Sequence, residues 1–307
     1  MIPTNFKKLK ILNQEYDVAD ISNITNIENL PFSHRILIEN IIRQKLLGRN
    51  NNADDQVKSI IEGKIGTAIN FSPNRILSHD ILGKVMLVDF LAYREALENK
   101  GISQDLVQPD VPVDVVIDHS LQVDYFGSDE AKIKNLKREY ERNSERFSFL
   151  RWCSKNLKKV NVIPPGVGIC HQVNIEYLSK VVWREQKQDL NLIHPDTCIG
   201  TDSHTPMVNA IGVLGWGVGG VEAEISMLGK TIPMTVPEVV GVNLNNNLNE
   251  GTTSTDLVLH ITKLLRANKV VGSFIEFFGD GVENLTVGDR ATTVSYTHLT
   301  LPTNSRV

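Results

Sequence analysis

Gly200-Thr201-Asp202-Ser203-His204-Thr205-Pro206 places a carboxylate, a hydroxyl and an imidazole on three consecutive residues. The glycine-rich run GVLGWGVGG at residues 212–220 follows, and glycine lets backbone pass close to itself or to a ligand. A helix cap would account for Asp202 and Ser203, because both side chains accept backbone N–H bonds. It does not account for His204 or for five glycines in nine residues. A structural turn and a functional site both stay open on this stretch alone.

Composition indicates a globular protein. The chain has 307 residues, 41% of them hydrophobic and 22% charged, with a net charge of -4. That charge argues against a nucleic-acid surface spread over the whole molecule. The sequence has no apolar run of about 18 residues, the length that a membrane span requires. The amino terminus is not followed by the apolar core of a signal peptide. We therefore expect a cytoplasmic protein. The three cysteines, Cys153, Cys170 and Cys198, form no Cys-x-x-Cys pair and are expected to be buried free thiols.

The hydrophobic pattern predicts alternating helices and strands. Apolar residues recur every three or four positions from Phe32 to Leu47, which predicts an amphipathic helix. Short apolar runs at Val85–Val88, Val113–Ile117 and Val160–Ile163 favour strands buried on both faces of a largely parallel sheet. A helix is expected over about Ser128–Trp152, and its interleaved charges indicate a solvated face rather than a nucleic-acid patch.

Polar clusters end several of the apolar runs. Ser78-His79-Asp80, Asp118-His119-Ser120 and His171-Gln172 each follow a hydrophobic segment, as does the stretch that contains His204. Ligands bind at the carboxyl ends of strands in open α/β sheets, and a buried imidazole is costly where Leu or Phe would pack as well. We therefore expect the four histidines to converge on one pocket that handles protons and anionic oxygen ligands.

Three segments resemble the aconitase family in sequence, order and spacing. They are Pro112–Asp124, with its Asp118-His119 pair, Ile163–Asn174, with Cys170-His171-Gln172, and Gly200–Glu224. The resemblance runs from about residue 20 to Thr292 and corresponds to roughly the first third of the cytoplasmic, iron-regulatory-protein-like branch.

The resemblance implies a hydro-lyase of the tricarboxylic acid cycle that dehydrates citrate to an enoate and rehydrates it. A [4Fe-4S] cluster would act as Lewis acid. Asp118 and His119 would form a proton-handling pair, and Asp202 and His204 would hydrogen-bond water or hydroxyl on the cluster. His171 would orient this network.

Ser203 and His79 would be substrate contacts, together with Asp202 and His204. The aconitase pattern carries Gln at the position of His79. The stretch around His79 instead resembles the iron–sulfur-dependent 2-methylcitrate dehydratases, and so does Asp196-Thr197-Cys198. The glycine run at residues 215–220 is similar to aconitase proper, so both substrates stay open.

The segment 293–307 has neither the family pattern nor a hydrophobic period, and we interpret it as a foreign tail. The family's cluster cysteines, substrate arginines, catalytic serine and swivelling carboxyl-terminal domain are all expected beyond this chain. We therefore predict that the 307-residue chain binds no cluster and is inactive alone, with an apolar surface where the missing domains pack.

The predicted fold is α/β. Residues 1–60 form an amino-terminal helical segment, and 61–235 a three-layer α/β/α aconitase-type domain with a largely parallel sheet. Residues 236–292 begin a second α/β domain.

Two other functional classes are alternatives to a hydro-lyase. An RNA-binding iron regulator finds no support in the negative net charge, which makes RNA an unexpected partner. A free-standing module for small carboxylates would need only the polar pocket.

Overall fold

The computed structural model describes residues 2–118, 122–172, 174–187, 189–270 and 272–300, with side chains as far as Ser295 in the last helix. The helices are α1 Phe32–Leu46, α2 Ala53–Ile61, α3 Asp80–Glu98, α4 Ala131–Arg142, α5 Ser144–Asn156, α6 Ile175–Leu178, α7 Gly220–Met227, α8 Ser254–Ala267, α9 Asp280–Glu283 and α10 Val287–Thr300. The strands are β1 Lys7–Ile11, β2 Gln14–Val18, β3 Ala68–Phe71, β4 Arg75–His79, β5 Val113–Val116, β6 Val160–Ile163, β7 Val182–Lys187, β8 Leu190–Pro195, β9 Thr197–Gly200, β10 Leu214–Gly217, β11 Ile232–Thr235, β12 Val239–Asn243 and β13 Phe274–Phe278.

A five-stranded parallel sheet in the order β10-β9-β4-β5-β6 forms the centre of the molecule. Its strands are rich in fully buried apolar residues such as Ile76, Val113, Val115 and Ile199. Strands covered on both faces read as near-continuous apolar runs, which is why β5 was predictable from the sequence. The edge strand β6 leaves Asn161 exposed. The mixed α/β architecture with a parallel sheet confirms the predicted fold class.

The amino-terminal segment contains the predicted helix α1, which begins at Phe32. No side chain caps α1 locally, and the carboxylate of Glu276 does so from β13. It accepts from the backbone amides of Phe32, at 3.2 Å, and Ser33, at 2.7 Å. The segment also holds β1 and β2, and β2 joins β8 and β7 in a second sheet. Residues 1–60 are therefore not purely helical.

Two secondary-structure predictions were wrong. Val85–Val88 lies within α3, where Met86 and Phe90 are buried while Val85 and Val88 are about half exposed. A buried strand would have covered both faces, so the helical period governs this run. The helix predicted over Ser128–Trp152 is two helices, α4 and α5, because the Asn143 side-chain amide donates to the Glu139 carbonyl at 3.0 Å and ends α4 there.

The buried apolar residues that the structure describes form three clusters. The largest contains residues between Ala19 and Val236, and the smallest joins Val242, Ile261, Leu265 and Val270 around β12, α8 and β13. The third joins Ala291 of α10 to Leu77, Cys170 and other residues near the carboxyl edge of the parallel sheet. Within the described ranges, no helix combines the length and the apolar character that crossing a membrane requires.

Candidate active site at the carboxyl edge of the parallel sheet

His79 ends β4 and caps the amino terminus of α3. Its Nδ1 accepts from the backbone amide of Ile81 at 3.3 Å, and the residue is 8% exposed. A ring nitrogen that accepts a hydrogen bond carries no proton, so the neutral ring of His79 has its proton on Nε2. This arrangement presents a hydrogen-bond donor at the edge of the sheet.

Asp80, the first residue of α3, is fully buried beside His79. Arg146 of α5 places Nη2 at 3.0 Å from Oδ2 of Asp80. Burial raises the pKa of the Asp80 carboxyl, and the charge of Arg146 opposes that rise. Arg146 was not singled out from the sequence, because its position in a charge-rich helix favoured a solvated side chain.

Asp118 follows β5, and its side chain hydrogen-bonds the loop that follows β6. Its Oδ2 accepts from the backbone amide of Cys170 at 2.9 Å. One ligand atom each from His79, Asp80 and Asp118 lie within 4.8 Å of one another. The ends of β4 and β5 therefore bring two predicted site residues together. His119 lies outside the described residues.

Asp202 and His171 form the most enclosed pair of the site. Oδ2 of Asp202 lies 3.2 Å from Nε2 of His171, and both side chains are buried. Oδ1 of Asp202 accepts from the backbone amide of His204 at 2.8 Å. Burial by itself raises the pKa of Asp202, but the His171 ring and the His204 amide outweigh it and hold that pKa well below its usual range. Asp202 is therefore an ionised acceptor at neutral pH.

The 3.2 Å contact between Asp202 and His171 is close, but its geometry is not that of a well-aligned hydrogen bond. Among the described residues, neither ring nitrogen of His171 has a hydrogen-bond partner of good geometry. Buried polar groups without partners are rare in folded proteins. Nδ1 of His171 is therefore available to hydrogen-bond a group that enters the site.

Glycines hold the loop of Asp202 against the strands. A Cβ on Gly200 would lie 2.8 Å from the Leu77 carbonyl oxygen, and one on Gly217 would lie 2.9 Å from the Asp202 carbonyl oxygen. Side-chain carbons do not approach backbone so closely, so these two positions require glycine. The glycine run thus serves close backbone approach, as expected from the sequence.

Ser203 and His204 differ from Asp202 in exposure. Ser203 is exposed, and His204 is half-buried with Nδ1 at 2.9 Å from Oγ of Ser295 in α10. The predicted site residues that the structure describes therefore all lie at one edge of the sheet, in two groups around His79 and around Asp202.

Cys170 lies between the two groups and was not predicted as a site residue. It is fully buried, and one ligand atom each from Cys170, His171 and Asp202 lie within 4.8 Å of one another. Burial, reinforced by the neighbouring Asp118, raises the pKa of the Cys170 thiol far above its usual range. Cys170 is therefore a protonated thiol, and the thiolate is the form that binds metals.

Comparison with known proteins identifies close relatives. Residues 45–297 match the aconitase family (aconitate hydratase). The chain is 45% identical over 291 residues to aconitate hydratase A of Rickettsia typhi, which covers 93% of this chain and 32% of that protein. It is 46% identical over 275 residues to aconitate hydratase A of Escherichia coli, and this match covers 88% of the chain and 30% of that protein.

Aconitate hydratase A of Staphylococcus aureus strain MW2 is 45% identical to the chain over 294 residues, and the match covers 93% of this chain and 32% of that protein. The chain thus spans about a third of the length of the curated relatives it matches.

Proposed function

The chain belongs to the aconitase family, and we propose that it is part of a longer hydro-lyase that interconverts citrate and isocitrate through cis-aconitate. The observation that carries the proposal is Asp202, an ionised carboxylate held between the His171 ring and the His204 amide. Such an acceptor, next to an imidazole whose Nδ1 has no partner among the described residues, suits the binding of the water that leaves a substrate.

In dehydration a substrate carbon loses a proton and its neighbour loses hydroxide, so the products are an enoate and water. We assign Asp118 and His119 to protonation of the leaving hydroxyl. Asp202 and His204 would hydrogen-bond the departing water, and His171 would orient Asp202. Ser203 would contact substrate, consistent with its exposed position. The base that takes the carbon-bound proton would come from the rest of the parent chain.

The cofactor of the parent protein is proposed to be a [4Fe-4S] cluster, which supplies Lewis acidity when bound. The residues described here do not fit such a cluster, which is held by cysteine thiolates. Cys153 and Cys198 are buried away from the site, and burial raises the pKa of each thiol to about 11. Cys170 alone lies at the site. The ligands would therefore come from the rest of the parent, and the 307-residue chain is predicted to be inactive by itself.

Several large apolar side chains are exposed, including Phe126, Val123, Leu106 and Tyr177. We propose that the missing domains of the parent cover part of this surface.

The apolar cluster around Val242 supports a second α/β domain over 236–292, after the first over 61–235. Residues 293–307 stay a predicted foreign tail. The family match ends at residue 297, and α10 continues to Thr300. The proposed compartment is the cytoplasm.

A second substrate, 2-methylcitrate, is favoured by one observation. His79 stands where aconitases carry glutamine, and it presents an Nε2–H donor at the site. One methyl group changes the binding free energy by only about 1–3 kcal/mol. The proposed enzyme therefore acts on citrate, on its methyl homologue or on both.

The test uses the parent protein encoded by the complete gene. Formation of cis-aconitate from citrate is followed by ultraviolet absorbance, in parallel with dehydration of 2-methylcitrate. Asp202→Asn should lower kcat by about 100-fold or more, because a neutral amide stabilises departing water poorly. Glu95→Gln, on an exposed site of α3, is the matched control. Normal turnover by Asp202→Asn would refute the assignment of Asp202, and no turnover of either substrate by the parent would refute the proposed function.

A further inference from the structure

A polar cleft lies at the opposite, amino edge of the parallel sheet. Its walls come from the loops that precede β4 and β5, the ends of α1 and α7, and β7. The lining residues are Arg43, Gln44, Arg49, Ser72, Asp110, Glu185, Lys187, Ser226 and Lys230, with several neighbours. The strand β4 separates this cleft from His79 by about 13 Å, at roughly 3.3 Å per residue. The cleft is therefore distinct from the candidate active site.

The cationic side chains that line the cleft outnumber its carboxylates, since Arg43, Arg49, Lys187 and Lys230 accompany only Asp110 and Glu185. Arg49 pairs with Asp110 at 2.9 Å, and Glu185 lies 3.6 Å from His194. The Nζ atoms of Lys187 and Lys230 make no ion pair or hydrogen bond with the described residues.

Burial lowers the pKa of Lys187, and the nearby carboxylates of Glu185 and Asp110 oppose that shift. The backbone amide of Lys230 donates to the Ile225 carbonyl at the end of α7, but within the described ranges neither lysine Nζ donates to a carbonyl there. A positive site of this kind is unusual in a chain whose net charge is -4.

Two buried polar atoms in the wall of the cleft have no partner. Oγ of Ser226 and Oε1 of Gln44 lack any hydrogen bond among the described residues. Ser226 is 1% exposed and Gln44 is 5% exposed. A buried polar atom without a hydrogen bond costs about 1–3 kcal/mol. These atoms therefore indicate a group that enters the cleft.

The shape of the cleft suits a small anion. An outer space of about 370 Å³ is lined by Gln44, Arg49 and Lys230. An inner recess of about 30 Å³ reaches Lys187 and Ser226. The outer volume falls within the range of small-molecule sites, and the recess holds one oxygen-sized group. A ligand would place one oxygen in the recess and the rest outside.

We propose that this cleft binds a phosphate dianion, either free or carried by a small organic molecule. Two lysines, one arginine and a serine hydroxyl supply donors from several directions, which suits the tetrahedral oxygens of phosphate. Monohydrogen phosphate carries a hydroxyl that can donate to Oε1 of Gln44, and an alcohol hydroxyl of an organic phosphate can do the same, whereas a simple carboxylate only accepts. The orphaned acceptor thus favours phosphate over a carboxylate.

The test titrates the 307-residue chain calorimetrically with inorganic phosphate in chloride buffer at constant ionic strength. We expect saturable binding at one site. Lys187→Gln and Lys230→Gln should each weaken it about ten-fold, as loss of one charge-assisted hydrogen bond predicts. Ser226→Ala should weaken it several-fold without lowering Tm, because it removes a hydroxyl that has no partner in the free chain. Tighter binding of glycerol 3-phosphate would identify an organic phosphate, and tighter binding of inorganic phosphate would identify the free anion.

Lys263→Gln is the matched control, since it removes one charge from an exposed position on α8. It should leave phosphate binding unchanged. A cleft that holds only an ordered water would show no saturable heat, and that result would overturn the proposal. Equal weakening by Lys263→Gln and Lys187→Gln would also overturn it, because binding would then follow net charge alone. So would an unchanged affinity in Ser226→Ala.

Discussion

Replacing Asp196 with asparagine is expected to destabilise the chain strongly, because it leaves the Arg75 guanidinium buried without its counterion. Both side chains are completely inaccessible to solvent. Nε of Arg75 lies 3.2 Å from each carboxylate oxygen of Asp196, and Nη2 lies 3.0 Å from Oδ2. The backbone amide of Lys180 donates to the same Oδ2 at 3.0 Å. The pair joins the first residue of β4 to the residue just before β9.

The magnitude follows from the burial of the pair. Removing one partner of a buried ion pair costs about 3–5 kcal/mol, since the remaining charge is left uncompensated. Asp114 lies close enough to Arg75 to offset part of that charge, so we expect the lower end, about 3 kcal/mol. A single domain is stable by only about 5–15 kcal/mol, so this loss is a large fraction of the total.

The assay is urea unfolding followed by far-ultraviolet circular dichroism. With an m value of about 3 kcal/mol per molar urea, the midpoint of Asp196→Asn should fall by about 1 M. Glu141→Gln, which removes an exposed partner of Arg138 at 3.0 Å, is the control and should move the midpoint little. The double variant Arg75→Met with Asp196→Leu should recover most of the loss, because it buries no charge. Equal midpoints for Asp196→Asn and Glu141→Gln would refute the reasoning.

Three further outcomes are expected. Glu276→Ala should cost about 1–2 kcal/mol by removing the cap of α1, measured by urea unfolding; a change no larger than that of Glu238→Ala in the neighbouring loop would contradict the capping role. The pKa of Asp202 is lower in the folded state, so its stabilising contribution is complete above about pH 4 and is lost as the pH falls through the folded value. Asp202→Asn should therefore flatten stability against pH below about pH 4, and an unchanged acid profile would count against the His171 contact. The three cysteines should resist iodoacetamide at neutral pH until urea unfolds the chain, as mass spectrometry can show, and rapid labelling of the native chain would disprove their burial.

Local sequence patterns were reliable where local physics determines the outcome. The helix α1 follows from apolar spacing alone, and β6 begins and ends where predicted because an apolar run is bounded by Pro164-Pro165. The run Val85–Val88 failed because four apolar residues fit a buried strand and a helix equally well. Only the covering of Met86 by the core, with Val85 left exposed, decides between them.

The candidate site was anticipated in its residue types but not in its contacts. His79, Asp118, His171 and Asp202 were selected because each follows an apolar run, and parallel strands carry their carboxyl ends to one edge. Arg146 was missed because nothing in a charge-rich helix marks one arginine as inward-facing.

The sequence by itself predicted which residue types could carry chemistry and where α1 lies, since both predictions depend on residue type and on neighbours along the chain. That Gly200 must be glycine became clear only from the fold, because the close carbonyl belongs to the distant Leu77. Tertiary structure alone decided the contacts between distant residues. Those include the pairing of His171 with Asp202, the capping of α1 by Glu276 and the meeting of Lys187 with Lys230 in one cleft. The physical reason is that charge and hydrogen bonding act over a few ångströms in space, and separation along the chain does not report that distance.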